Sequence, residues 1–416
     1  MPSAQPSPRR PRLAAFFGGE TFLSLRHTQF RFLLTGTALS QIASWMEEVA
    51  RGWLVLELTH SAFQLGLLGF IRGISQLVMS PFAGVLADRV DRRRLAAVTQ
   101  VVPAVDALII AVLVATDNIE MWQLYPLVCV SGLSGAVNVP TRQVLVYDVV
   151  GGENIANAIA LNSVVANMAR IVAPAVGGIV IGTVGIAASY YAQVVFFLLA
   201  TSATFFLHPT LRADAVRTPL WESLREGASY ARGDPTVFRL VLLNVIPTLL
   251  IYPYVGMMPI FAHDVLGAGS EGYGILLTAA GFGSIPGGLI VAGMSGSRWK
   301  GRTMGFAALL YMGMVTLFAL STIFILSFAI LVVAGVGWSM MVTLNQTLLQ
   351  LNVEDAFRGR ALSLYSMASG TTPFGNLAMG ATADQLGVQA AVAAFALTGL
   401  ACSLYLGIGS RRVRAL

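Results

Sequence analysis

Charge is scarce in this chain. Only 11% of its 416 residues are Asp, Glu, Lys or Arg, against roughly 25% in a soluble domain. So few charges could not clothe a soluble protein of this length, and 56% of the residues are hydrophobic. The mean hydropathy of +0.73 points the same way. Disorder, collagen-like repeats and coiled coil are excluded, because none tolerates this much non-periodic apolar sequence. Lysine is nearly absent: of 26 basic residues all but Lys300 are arginine. A phosphate-binding loop needs Gly-Lys-Ser/Thr, whose lysine reaches the terminal phosphates. Lys300 stands instead in Arg298-Trp299-Lys300-Gly301, so ATP hydrolysis by this chain is not expected. The two cysteines, Cys129 and Cys402, sit inside apolar runs and read as small core hydrophobes. His27, His60, His208 and His263 are widely separated, and neither His-Glu-x-x-His nor a Gly-x-Ser-x-Gly elbow occurs. No enzyme, metal site or cofactor is expected.

What is present is a succession of apolar segments with brief polar breaks. A helix needs about 20 residues to cross the hydrocarbon core. The chain therefore reads as an all-α membrane protein with twelve transmembrane helices, at 32–57, 62–86, 94–116, 121–147, 154–183, 187–208, 236–262, 270–295, 303–322, 324–352, 357–384 and 387–409. These group as an N-terminal tail (1–30), a six-helix half (31–208), a central loop (209–235), a second six-helix half (236–410) and a short tail (411–416). In the loop, Thr218-Pro219 starts a short helix by cap and first-turn logic. Its apolar face of Leu220, Trp221, Leu224 and Ala228 predicts a helix lying along the membrane surface. The halves echo each other: Pro174 and Pro373 are 199 apart, Gly185 and Gly387 are 202 apart. Repeated halves are the usual build of secondary transporters.

The arginines orient the bundle. Cytoplasmic loops hold Lys and Arg. With both termini inside, the N-tail, the loop with Arg89, Arg92, Arg93 and Arg94, the central region, the Arg298–Arg302 and Arg358–Arg360 segments and the C-tail hold every basic residue outside the spans, and the outer loops hold none. A multi-pass protein of a bacterial inner membrane is expected, with the lipid bilayer as its setting. The pI of about 9.6 is explained by this topology, so nucleic acid is not an expected partner.

Between spans two and three runs Gly84-Val-Leu-Ala-Asp88-Arg89-Val-Asp91-Arg92-Arg93-Arg94-Leu95. It resembles the signature loop of the major facilitator superfamily, Gly-x-x-x-Asp-Arg/Lys-x-Gly-Arg/Lys-Arg/Lys, with Asp91 at the second glycine. The fifth span, Ala169-Arg-Ile-Val-Ala173-Pro174-Ala-Val-Gly177-Gly178, is similar to the superfamily's antiporter motif, with alanine at its first two glycines. Trp53-Leu-Val-Leu-Glu57-Leu-Thr59, Pro140-Thr-Arg142-Gln143 and Asn157-Ala-Ile-Ala-Leu-Asn162-Ser163 look like the branch that holds enterobactin-type siderophore exporters and macrolide efflux proteins. The resemblance covers about residues 25–410 and implies two pseudo-symmetric six-helix halves that export small molecules, with Gly84, Asp88, Arg89, Arg92, Arg142, Asp148, Pro174, Gly177 and Gly178 in gating. In it Asp88 meets the start of span eleven and Arg92 meets Asp148, latching the halves on the inside; a plain positive-inside anchor is the alternative. The second-half loop, Gly293-Met-Ser-Gly-Ser297-Arg298-Trp-Lys300, lacks the acid. Arg142, near the inner end of span four, reads as a snorkelling anchor or a gate.

Ionisable groups at mid-depth carry the functional expectation. An unpaired charge at the bilayer centre costs about 2.5–3.5 kcal/mol or more. Glu47, Glu48, Arg51, Arg72, Asp106 and Arg170 all fall in the first half, so they must face one another or a wet cavity. Glu47 and Arg51 are spaced for an in-helix pair. Glu48 shares a face with Gln41 and Trp45. A carboxyl withdrawn from water holds its proton more firmly, which makes Glu48 the first candidate for proton exchange. A static pair with Arg72 or Arg170 is the alternative, and Asp106 with Arg170 reads as a tie. In the family's architecture spans one, four, seven and ten enclose the cavity. Asn138, Asn244, Tyr252, Tyr254, Trp338, Asn345 and Gln346 then extend its lining. Such a chamber suits a small amphipathic solute, neutral or cationic. The expected function is a proton-coupled antiporter, working as a monomer; a lipid or lysophospholipid flippase of the same fold is the alternative, and a membrane-embedded enzyme or the permease subunit of an ATP-driven complex a distant one.

Overall fold

Side-chain caps set where several helices begin. The computed structural model describes residues 23–208, 235–353 and 365–405, apart from 295, 298, 366, 367 and 369. The first span is Thr28–Thr59. The second, Ala62–Arg89, starts at Ser61, whose hydroxyl accepts from the Gln64 amide. The third, Arg92–Ala115, starts at Asp91, whose carboxylate accepts from the Arg94 amide. Such a cap satisfies one of the unpaired N–H groups of a first turn. The loop's departure from glycine at Asp91 thus has a structural use. Met121–Val184 holds the fourth and fifth spans, parted where Gly151 takes φ 72°. The sixth is Ile186–Phe205.

The second half repeats the plan. The seventh span is broken into Pro235–Ile246, a π-turn at Pro247–Ile251, Tyr254–Ile260 and a second π-turn at Phe261–Val265. Prolines at 247, 253 and 259 withhold backbone donors, and π-turns accommodate that loss. The eighth is Gly269–Gly293, the ninth Lys300–Leu320 and the tenth Phe324–Asn352. Thr372–Leu386 belongs to the eleventh, and Val388–Ser403 is the twelfth. Gly185 (φ 109°) and Gly387 (φ 85°) make the corresponding sharp turns of the two halves. Both conformations are closed to most L side chains, which accounts for that echo in the sequence.

Packing repeats under a shift of six spans. The second span packs on the fourth–fifth stretch, the eighth on the tenth; the third on the sixth, the ninth on the twelfth. Across the halves the fifth meets the eighth and the second meets the eleventh. The third span turns Val98, Val105, Leu108 and Val112 outward, and the ninth turns out Phe306, Leu317 and Leu320. An apolar exterior of this kind faces lipid. Eight described helices are long and apolar enough to cross a membrane. The expected surface helix at 218–228 and the ends of both tails lie outside the described residues.

Candidate functional site

The halves touch at two close crossings. A Cβ on Gly178 would run into the Ser270 carbonyl, and one on Gly274 into the Pro174 carbonyl. At the other crossing, Gly66 abuts the Asn376 carbonyl and Gly73 abuts the Pro373 ring. Pro174 and Pro373 therefore occupy equivalent places. Gly177 lies in ordinary contact with Met46. Small residues let helices approach to this degree.

Between the crossings lies a hollow of about 510 Å³. Its wall comes from the first, second, seventh, eighth and eleventh spans, and it reaches from Val55 and Leu65 to Ser80 and Gly370. Among the described residues Glu48 is the one carboxylate on this wall. It accepts hydrogen bonds from Arg51 Nη2 and from Arg72 Nη1, the latter at 2.6 Å. Its side chain is 34% exposed, that of Arg72 23%. The Glu48–Arg72 pair thus exists, and it stands in the wall of the hollow rather than apart from it. Arg51 bonds Glu47 at 2.7 Å on its other side, as i, i+4 spacing on one helix allows.

Behind this wall is a chamber of about 20 Å³ lined by Glu47, Arg51, Asp106, Ser131 and Tyr190. That volume takes about one water. Asp106 is 9% exposed, and its Oδ2 and the Tyr190 hydroxyl have no hydrogen-bond partner. The expected tie between Asp106 and Arg170 is not formed. Arg170 lies over the Trp45 ring at 5.7 Å, in a hollow of about 30 Å³ with Tyr252, Tyr254, Tyr311 and Trp338. The reason is helix rotation: Asp106 turns toward the first and fourth spans, whereas Arg170 turns toward the opposite half.

Several expected lining residues do other work. Asn138 donates to Thr99 Oγ1 at 2.8 Å, Asn345 to the Leu240 carbonyl at 3.1 Å and Asn244 to the Tyr365 carbonyl at 3.1 Å. These amides tie helices together, because a buried amide must find partners. Gln346 is exposed, and Gln41 lines neither of the two larger hollows. Trp45 and Tyr252 line the large hollow, and Tyr254 and Trp338 the 30 Å³ one. Span four contributes to neither, and span ten only to the smaller. Tyr273, Asn376 and the glycines at 66, 69 and 73 went unread as wall residues. The i, i+3, i+7 spacing of those glycines was a usable sign of a close helix contact.

The remaining gating residues are also placed. Arg92 donates to both Asp148 oxygens, at 2.9 and 3.1 Å, joining the third span to the fourth within one half. Arg89 is exposed and Gly84 faces open space. The Asp88 side chain lies outside the described residues, as does the start of span eleven. Arg142 does not snorkel. It is 8% exposed, with Nη1 donating to Thr37 Oγ1 and Nη2 to the Gly36 carbonyl at 3.3 Å. It is held between the first and fourth spans because its guanidinium finds backbone and hydroxyl acceptors there.

At the end away from the Arg89–Arg94 loop the halves close on each other. Ser61 Oγ donates to Asp384 at 2.9 Å, and the His60 and His263 rings are 5.8 Å apart. Trp53 lies 6.5 Å from Tyr273. Asp384→Ala removes the carboxylate that ties span two to span eleven. The contact is exposed and worth about 1 kcal/mol, so amides of the first turn of span two should exchange hydrogen about five-fold faster. Unchanged exchange there would show that Asp384 does not hold this end shut.

Two halves that repeat under a six-span shift, cross at glycines and enclose a hollow between them are the build of a major facilitator secondary transporter. A family model described as transmembrane secretion effector matches residues 20–413, and the chain belongs to that family. It is 23% identical over 384 residues to the staphyloferrin A transporter of Staphylococcus aureus (strain NCTC 8325 / PS 47), covering 89% of this chain and 92% of that one. It is 25% identical over 349 residues to an enterobactin exporter of Shigella boydii serotype 18, covering 82% and 81%. The fold matches a bacterial homologue of the human lysosomal transporter Spinster in an inward-facing, unoccupied conformation, with TM-score 0.75, 15% identity and coverage of 94% and 97%. The family and these relatives are transporters, not enzymes.

Proposed function

We propose that this protein is a proton-coupled antiporter that exports small amphipathic molecules, siderophore-like or drug-like, by alternating access of its two halves. The observation that carries the reading is Glu48. Alone among the three mid-depth carboxylates of the first half it lines the 510 Å³ hollow, with its side chain 34% exposed. It holds Arg51 on its own helix and Arg72 on the next. A proton on Glu48 removes the charge that binds both arginines, so the junction of the first and second spans loosens. Solute binding and protonation then compete for one conformational equilibrium, which is the requirement for exchange. By the positive-inside rule the Arg89–Arg94 loop faces the cytoplasm, and the conformation is open inward and closed outward. The similarity to a staphyloferrin A transporter and an enterobactin exporter supports the solute class.

The test is transport in proteoliposomes with and without an imposed pH gradient. Glu48→Gln should lose at least about ten-fold of the gradient-driven rate, roughly 1.4 kcal/mol or more of coupling, while solute counterflow without a gradient persists. Glu47→Gln and Asp106→Asn are compared in parallel. A gradient that drives all three variants as it drives the native chain overturns the assignment.

A further inference from the structure

We propose that the chamber around Arg170 is the recognition subsite for an aromatic ring bearing a negative charge, so that the exported solute is an aromatic anion. This rests on the reading of the large hollow as a transport path and narrows its solute class. Arg170 is a cation halfway along the fifth span. A charge at that depth is retained only where it has a partner or a task. Among the described residues it has no ion pair, and no carboxylate lines its chamber. Glu48, the acid on the wall of the adjoining large hollow, is already engaged by two arginines. The Arg170 guanidinium lies over the Trp45 ring, 5.7 Å from the centroid, and acts electrostatically on Tyr254 and Tyr311, none of which is an anion at neutral pH. A guanidinium on an aromatic face keeps its in-plane N–H fork directed outward, and that fork matches a carboxylate or similar planar anion.

The rest of the chamber suits the ring. Tyr252 lies 5.4 Å and Tyr311 5.1 Å from Trp338, each tilted, the geometry in which aromatic side chains accept another ring edge-on or offset. The present space of about 30 Å³ is too small for a ring. However, Trp45, Tyr252 and Val255 line both this chamber and the 510 Å³ hollow. A rotamer change at Tyr252 or Trp45 joins the two. The anion then sits on Arg170 with its ring among Tyr252, Tyr311 and Trp338, and the remainder of the solute occupies the large hollow. The sequence-based preference for a neutral or cationic solute gives way to an amphipathic anion, because among the described residues the one acid of the wall is paired with two arginines whereas Arg170 has no ion pair.

Equilibrium binding to the purified full-length chain, measured by calorimetry, tests this without requiring any coupling ion or direction of transport. Three probes are used: 1-naphthoate, 1-naphthylmethylammonium and cyclohexanecarboxylate. The naphthoate should bind saturably, at least about ten-fold more tightly than either other probe. Arg170→Gln should erase that preference, Arg170→Lys should keep part of it, and Trp338→Leu should bring naphthoate down to the level of cyclohexanecarboxylate. Should Arg170→Gln not yield a monodisperse protein, the Arg170→Lys and Trp338→Leu comparison decides. Equal binding of the ammonium probe, absence of saturable naphthoate binding, or retention of the preference in those variants overturns the proposal. Loss of proton coupling in Glu48→Gln with the naphthoate preference intact would separate the two readings.

Discussion

Gly178→Leu is expected to cut transport at least about ten-fold and to lower thermal stability, whereas Gly305→Ala should leave both unchanged or slightly improved. The two sites differ only in what their missing side chains would meet. At Gly178 a Cβ would strike the Ser270 carbonyl and lie 3.1 Å from Gly274 Cα. Both are backbone and cannot move aside by changing rotamer. Overpacking a fitted contact costs about 1–3 kcal/mol, and here it wedges apart a close crossing between the two halves. At Gly305 nothing lies within 4 Å, so alanine merely restrains the unfolded chain in a helical position. Transport counts and unfolding midpoints in detergent for both variants give the comparison. Wild-type transport by Gly178→Leu would show that the crossing tolerates widening.

The second large effect is expected at Arg51. Arg51→Leu leaves Glu47 without its ion-pair partner, its side chain only 14% exposed, and Glu48 with Arg72 alone. Removing one member of a buried pair costs about 3–5 kcal/mol, because the charge left behind has lost its compensation. The double variant Glu47→Gln/Arg51→Leu should recover a good part of that loss, since the stranded charge is gone. Arg72→Gln should cost much less: its side chain is 23% exposed in the wall of the large hollow, and exposure lets solvent screen the change. Unfolding midpoints of the three variants order the effects. If Arg72→Gln destabilises as much as Arg51→Leu, burial is not what governs this network.

The mid-depth residues show how far one-dimensional reading reaches. The pairing of Glu47 with Arg51 follows from spacing on a single helix, and the structure has it. The pairing of Glu48 with Arg72 joins two helices and could be named only as one of two choices. The choice between Arg72 and Arg170 depended on how far the second and fifth spans are rotated about their axes. The same kind of rotation turns the amides at 138, 244 and 345 toward neighbouring helices. Helical periodicity groups residues on a face but does not say whether that face meets a cavity or a neighbouring helix, and an amide suits either. Arg142 was placed by its position near a span end, yet acceptors on the first span hold it inside.

By itself the sequence determined that this is a multi-span helical membrane protein, built as two echoing halves with its arginines gathered in alternate loops. Each of those features is local: apolar length, the turn conformation of Gly185 and Gly387, and the charge of a loop are properties of a segment alone. Only the tertiary structure decided which faces enclose the hollow, that Glu48 lies on its wall while Asp106 lies behind it, and that Arg170 turns to the aromatic chamber. Those outcomes depend on helix rotation and on backbone approach at a few glycines. Both arise from packing all the spans at once.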